Sequence, residues 1–222
     1  MESKTSFTEL EEMIHKGSDD INDYFALGVL YLENGNFEKL LSLYDDAARL
    51  QLTNLDHTRI LHEKGKALQM LNKEQDAAAL FHKSLRLLRS EKDSVDSLDL
   101  KALNLYNLFL HSQSSDEDRN YAFEASECFK KLIKEYNIPE EGYSVYSHLA
   151  DIYTKLGEYE DALNYYNKAI ELSAEKSDIV WLTSGIADVY AMKGDYRQAA
   201  GYFNKALSKA GKNFPTSKIY FG

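Results

Sequence analysis

The sequence predicts an all-α protein built from repeated helix pairs. Two segments near its C-terminus, residues 146–169 and 183–206, are close copies in which every matching position lies 37 residues apart. A fixed period of this length is typical of small structural units that stack side by side. The composition agrees, because the 222 residues include only two prolines, the residue that most disfavours helix interiors. We therefore expect a stack of antiparallel helix pairs, an architecture that usually presents a binding surface.

The N-terminal segment predicts a helix that covers the first repeat. Ser6 and Glu9 have the spacing of a capping box, in which each residue satisfies a backbone amide of the other. Phe7, Leu10 and Ile14 then form an apolar stripe on one helix face. Because the end of a repeat array exposes apolar surface, we expect this stripe to cover it.

Five repeats follow the N-terminal helix, and the third is irregular. Its second helix begins late, and the polar residues 113–120 account for the delay either as a loop or as a helix extension. The predicted segments are a capping helix at 1–20, five repeats within 21–210 (about 21–57, 58–94, 95–142, 143–179 and 180–216), and a tail or truncated sixth repeat at 211–222.

Each unit resembles the tetratricopeptide repeat (TPR), which is a pair of helices with small and large residues at set positions. In repeat four the pattern runs through Leu149, Ala150, Tyr153, Gly157, Tyr159, Ala162, Tyr166 and Ala169. The resemblance implies a right-handed α-solenoid of about five antiparallel helix pairs. Glycines such as Gly157 and Gly194 suit the left-handed turn after the first helix of a pair, and Asn36 and Asp195 are placed to cap the second helix.

The resemblance also implies a binding surface, because the first helix of each TPR pair lines the concave face. Arg59, His62 and Lys66 share one phase of such a helix within a locally basic block, so we expect them to anchor an acidic partner segment. An ordinary solvated surface is the alternative. The predicted concave residues are Asn22, Phe25, Val29, Leu32, Arg59, His62, Lys66, Gln69, Leu103, Tyr106, Asn107, Ser147, Asp151, Thr154, Trp181, Ser184 and Asp188.

Several classes of function are disfavoured by the sequence. The net charge of −10 argues against nucleic acid and against anionic membrane surfaces as partners. No phosphate-binding loop, nucleophile elbow, dinucleotide fingerprint or zinc-binding helix pattern occurs, so we expect no enzyme activity, no metal and no cofactor. The single cysteine and an N-terminus without a signal-peptide core indicate a cytoplasmic location.

The function expected from these observations is non-catalytic binding of a protein or peptide segment, as a scaffold or adaptor. The first alternative is a peptide-sensing domain of a larger bacterial transcriptional regulator or signalling protein. The second is an enzyme or carrier-associated subunit. If a sixth repeat begins at Ser217, the apolar residues 219–221 lack a partner helix, and we expect self-association through the C-terminal repeat.

Overall fold

The described part of the chain is helical, as the sequence predicts. The computed structural model describes residues 6–112, 116–136 and 142–210, and these ranges hold eleven α-helices and no strand. The helices are α1 (Phe7–His15), α2 (Ile21–Glu33), α3 (Phe37–Ala47), α4 (Asn54–Met70), α5 (Glu74–Leu88), α6 (Val95–Leu110), α7 (Asp116–Tyr136), α8 (Tyr143–Leu156), α9 (Tyr159–Leu172), α10 (Lys176–Met192) and α11 (Tyr196–Lys209).

The chain divides into two compact units, with the boundary between His111 and Ser112. In the first unit α2 pairs with α3 and α4 with α5, while α1 packs on α2 and α6 packs on α4 and α5. In the second unit α8 pairs with α9 and α10 with α11, while α7 packs on α8. Each of these pairs consists of consecutive helices joined by a short turn, so its members run antiparallel.

Left-handed residues end the first helix of four pairs. Gly35, Gly157 and Gly194 have φ angles of 69°, 81° and 84°, which confirms the turns predicted at these glycines. In repeat two the same place is taken by Asn72, with a φ of 56°. Asparagine tolerates this conformation better than other residues with a side chain, so the turn survives without glycine.

The predicted helix caps are confirmed at two positions and absent at a third. Ser6 and Glu9 form the capping box at the start of α1. Asp195 accepts a hydrogen bond from the Gln198 amide at 3.1 Å at the start of α11. Asn36 precedes α3 but makes no side-chain hydrogen bond there, which corrects the prediction. A carboxylate is a stronger acceptor than an amide at the positive end of a helix, which favours Asp195 over Asn36.

The repeated packing positions form the core of the helix pairs. Tyr44, Phe81 and Phe129 are each at most 1% exposed and fill the space beside their helices. Ala162 and Ala199, at 0% and 4% exposure, are buried as the repeat pattern predicts. Small residues at these positions let the helices approach, and the large rings fill the space beside them.

The irregular third repeat contains the longest described helix, α7. Asp116 is its first residue, so residues 116–120 of the polar run extend the helix, in agreement with one of the two alternatives. Residues 113–115 of that run lie outside the described part of the chain. The sixth repeat predicted from Ser217 also lies outside it.

Candidate functional site

A cavity opens in the second unit where the first helices of two consecutive repeats, α8 and α10, lie beside each other. Its volume is about 380 Å³. Three helices line the cavity, because Tyr166 of α9 contributes to its wall together with residues of α8 and α10. The lining residues are Tyr143, Ser147, Asp151, Tyr166, Asp178, Trp181, Leu182, Ser184, Gly185 and Asp188.

Two polar residues recur in the cavity at the repeat period. Ser147 and Ser184 are 37 residues apart, and so are Asp151 and Asp188. Serine and aspartate are four residues apart within each helix, so both point from the same helix face. The sequence predicts that these residues share a face with Trp181, and the structure brings all five around one cavity.

The wall contributed by α9 is not predicted by the sequence pattern. The Tyr166 hydroxyl donates a hydrogen bond to the Asp151 carboxylate, which links α9 to α8. Tyr166 fits there because Gly185 has no side chain, and a Cβ at this position would lie 2.5 Å from the tyrosine ring. The sequence offers one signal of this arrangement, since Gly185 stands where the matching position of repeat four holds the much larger His148.

The cavity is acidic. Burial, together with the neighbouring Asp151, raises the pKa of the Asp188 carboxyl to about 6. Burial and a hydrogen bond with Asp178 raise the pKa of the Tyr143 hydroxyl, so this tyrosine stays protonated and can donate. Among the described residues, the lining includes three aspartates and no lysine, arginine or histidine. The arrangement therefore favours a positively charged group over an anion.

The predicted basic anchor in repeat two differs from the structure at His62. This side chain is 3% exposed, and its Nδ1 lies 3.2 Å from Asn104 Oδ1. The Asn104 amide nitrogen donates to Ser84 Oγ at 2.7 Å and to the Leu100 carbonyl at 2.6 Å, so Oδ1 is left as the acceptor for His62. Burial lowers the pKa of His62 to about 4. His62 is therefore neutral at neutral pH and part of the core, which corrects the prediction.

The other predicted residues of the first two repeats have separate environments. The Arg59 guanidinium lies 4.0 Å from the centre of the Phe25 ring, and Phe25 is itself buried. Lys66 Nζ forms an ion pair with Glu63 at 3.0 Å. Gln69 is buried on α4. Phe25 and Gln69 are therefore too buried to contact a partner, whereas Arg59 is exposed.

The two predicted residues of repeat three, Tyr106 and Asn107, are half-buried on α6 in the first unit. The Asn107 amide nitrogen donates to the Leu103 carbonyl at 2.8 Å on the same helix. Neither residue lines the cavity of the second unit. These two residues are therefore grouped with the other predicted concave positions only by their spacing in the sequence.

The first unit has a cavity of its own, with a volume of about 580 Å³, between α1, α2 and α3. Its charges are mixed and partly paired. The Tyr31 hydroxyl donates to Glu11 at 2.8 Å, and Lys39 Nζ lies 3.8 Å from the same carboxylate. Because these groups satisfy one another, this cavity indicates no particular ligand charge.

Two further features of the described residues bear on function. No group of three or more histidine, cysteine, aspartate or glutamate side chains is arranged to hold a metal ion in the part of the chain that the structure describes. Within the same ranges, each helix is too short or too polar to cross a lipid bilayer.

Comparisons with known proteins agree with the fold. Models of the tetratricopeptide repeat match residues 24–56 and residues 143–210, and the second segment contains the acidic cavity. A comparison with curated protein sequences finds no match.

Solved structures of TPR proteins resemble the chain at low sequence identity. A thermophilic TPR protein of Thermus thermophilus, TTC0263, has a TM-score of 0.66 at 16% identity, over 90% of this chain and 97% of that one. PH0952 of Pyrococcus horikoshii, a signal transduction ATPase with a tetratricopeptide repeat sensor, has a TM-score of 0.65 at 19% identity, over 91% of this chain and 31% of that one. The repeat matches and these likenesses, together with the observed helix pairs, identify the chain as a tetratricopeptide-repeat protein.

Proposed function

We propose that the chain is a non-catalytic protein-binding module that uses the face shared by α8 and α10. One observation carries the proposal: serine and aspartate recur at matching positions of consecutive repeats and open into one cavity with Trp181. Repeat proteins commonly bind through surfaces built in this way, with each repeat adding a similar set of contacts. The TPR family is generally a non-catalytic scaffold, which supports the same interpretation.

The chemistry of this face suits an extended peptide segment. Trp181 is 41% exposed, so its ring is available to a partner and yet held by the helix packing around it. Aromatic residues of this kind are frequent energetic centres of protein interfaces. The half-buried Ser147 hydroxyl donates to the Ser144 carbonyl at 2.8 Å and retains lone pairs that can accept a hydrogen bond from a peptide backbone.

A selection from a random peptide library tests this proposal. Peptides are selected on the wild-type chain, and their affinities are then measured for the wild type and for Ser147→Tyr, which places a large ring in the cavity. Asn164→Tyr, at an exposed position of α9 outside the cavity lining, is the matched control. We expect peptides that bind the wild type and the control with equal affinity and Ser147→Tyr at least about tenfold more weakly, as for loss of an interface centre.

Two results would reject this proposed site. One is a selection that yields no binder, and the other is a set of binders unaffected by Ser147→Tyr. Circular dichroism of each variant checks that the helices are intact.

A second candidate function is a sensory domain within a larger signalling protein. The observation that favours it is the likeness to PH0952, a signal transduction ATPase with a repeat sensor, of which the match covers 31%. The reading frame on either side of this sequence tests the candidate. An ATPase or DNA-binding segment in the same frame would support it, and a frame that encodes only repeats would reject it.

The proposed location is the cytoplasm, and nucleic acid and membranes are not proposed as partners. The net charge of −10 supports the exclusion of polyanionic partners, and the buried thiol of Cys128 is compatible with a reducing compartment.

A further inference from the structure

The acidic cavity of α8 and α10 has the chemistry of a site for one positively charged side chain. We infer that it binds a lysine or arginine side chain of the partner segment, an inference that rests on the binding function proposed for the same face. The partner is thus a basic peptide, whereas the sequence alone favours an acidic one.

The lining of the cavity is one-sided in charge. Asp151, Asp178 and Asp188 surround one space, and no basic side chain of the described residues lines it. The hydroxyls of Tyr166 and Tyr143 bond to two of these carboxylates but carry no charge. Negative charge therefore accumulates in a partly desolvated space, where a cation from a partner gains more than it does in water.

Aromatic rings complete a site for an organic cation. Trp181 and Tyr143 both line the cavity, and the faces of such rings attract ammonium and guanidinium groups. The volume of about 380 Å³ is in the range of ligand pockets rather than of single-ion sites. A bare metal ion fits poorly, because the described acidic residues form no cluster that could coordinate one. A long side chain with a charged end matches both the size and the charge.

The electrostatics of Asp188 agree with this occupant. Burial and Asp151 raise the pKa of the Asp188 carboxyl to about 6, which is the behaviour of a partly buried carboxylate beside another carboxylate. A bound ammonium or guanidinium group brings an opposite charge and favours the ionised form.

The test uses the peptides selected on the full chain and their neutral versions. In each peptide every arginine is replaced in turn by citrulline and every lysine by norleucine, which remove the charge and retain most of the shape. On the protein, Asp188→Asn removes one cavity charge, and Asp161→Asn, an exposed carboxylate on α9, is the matched control. Calorimetry measures each affinity.

We expect one basic residue in each peptide whose replacement weakens binding about tenfold or more. Asp188→Asn should weaken binding of the parent peptide to a similar degree, and Asp161→Asn should leave its affinity unchanged. The neutral peptide should bind wild type and Asp188→Asn equally, because the interaction between the two charges is then already lost. Cavity-dependent peptides that tolerate every neutral replacement would overturn the inference and leave the proposed function intact.

A small probe covers the case in which no peptide binds and the proposed function itself fails. Trp181 is the only tryptophan of the chain, so its fluorescence reports on the cavity. Titration with n-butylguanidinium should change this fluorescence saturably in the wild type, and much less in Asp188→Asn or with neutral n-butylurea. A response that does not saturate, or one equal in Asp188→Asn and wild type, overturns the cation site.

Discussion

Among single residues, Asp188 combines partial burial with a neighbouring carboxylate, Asp151. Because the pKa of Asp188 in the folded chain is about 6, above its ordinary value of 3.8, the folded state holds a proton that the unfolded state releases. Asp188 therefore costs no stability below about pH 4, and its cost grows as the pH rises to about 6.

We predict that Asp188→Asn stabilises the chain relative to wild type as the pH is raised from about 4 to 7. A shift of this size is worth about 3 kcal/mol for a shielded group, and screening at this partly exposed carboxylate reduces the expectation to about 1 kcal/mol. Urea denaturation at both pH values measures the difference, with Asp161→Asn as the control. A stability difference that is the same at both pH values would contradict the assigned environment.

Single residues also show where the repeat spacing of the sequence fails to predict the environment of a side chain. His62, Arg59 and Lys66 share one helical phase, but His62 is buried and hydrogen-bonded to Asn104, 42 residues further along the chain. Such non-local contacts leave no mark in a helical pattern. The pairing of Lys66 with Glu63 is different, because a spacing of three residues along a helix can be recognised in a sequence.

At the scale of helices, the buried alanines determine how closely a pair can pack. Ala162 is fully buried on α9, in the helix pair with α8. We predict that Ala162→Leu lowers the free energy of unfolding by about 1–3 kcal/mol, because the pair has no room for a larger side chain. Ala200→Leu, at an exposed position of α11, is the control and should change stability little. An unchanged urea midpoint for Ala162→Leu would show that α8 and α9 can separate without cost.

The turns between helices give a second prediction, based on two glycines in opposite roles. Gly157 ends α8 with a φ of 81°, whereas Gly201 lies inside α11 with open space around its Cβ position. Alanine at 157 should destabilise the chain by about 1–2 kcal/mol, since a left-handed conformation strains it. Alanine at 201 should stabilise it by about 0.5–1 kcal/mol. Thermal unfolding of both variants measures the contrast, and shifts of the same sign would contradict it.

Helix boundaries are largely predictable because their signals are local. The turn glycines and the capping box at Ser6 act over three or four residues, so the sequence shows them directly. The cap expected at Asn36 is wrong, because the type of residue at a cap position does not by itself ensure the hydrogen bond. The cavity residues Ser147 and Asp151 can be predicted from register because their partners recur at the repeat period.

At the scale of the whole molecule, the contacts divide the chain into two compact units after His111. The division falls within repeat three, between α6 and α7. The polar run at 113–120 is the visible sign of irregularity there. The repeat register runs through residues 21–210 without marking a boundary, so the sequence does not reveal the division.

The net charge of −10 attracts a basic peptide over a long range and so favours its binding. We predict that raising the salt concentration from about 0.05 to 0.5 M lowers the affinity of the selected peptides about tenfold, mainly through slower association. Salt screens the attraction between the basic peptide and the acidic chain. The citrulline and norleucine peptides should depend less on salt. Stopped-flow mixing measures both rates, and an affinity independent of salt would argue against charge-driven recognition.

Trp181 allows a direct test of whether partners bind at the face shared by α8 and α10. As the only tryptophan, it gives a single indole N–H resonance in a nitrogen-15 correlation spectrum. We expect a bound peptide to shift this resonance saturably, in step with the affinity measured by calorimetry, and Ser147→Tyr to abolish the shift. Tight binding of the peptide with the Trp181 resonance unmoved would show that partners bind elsewhere.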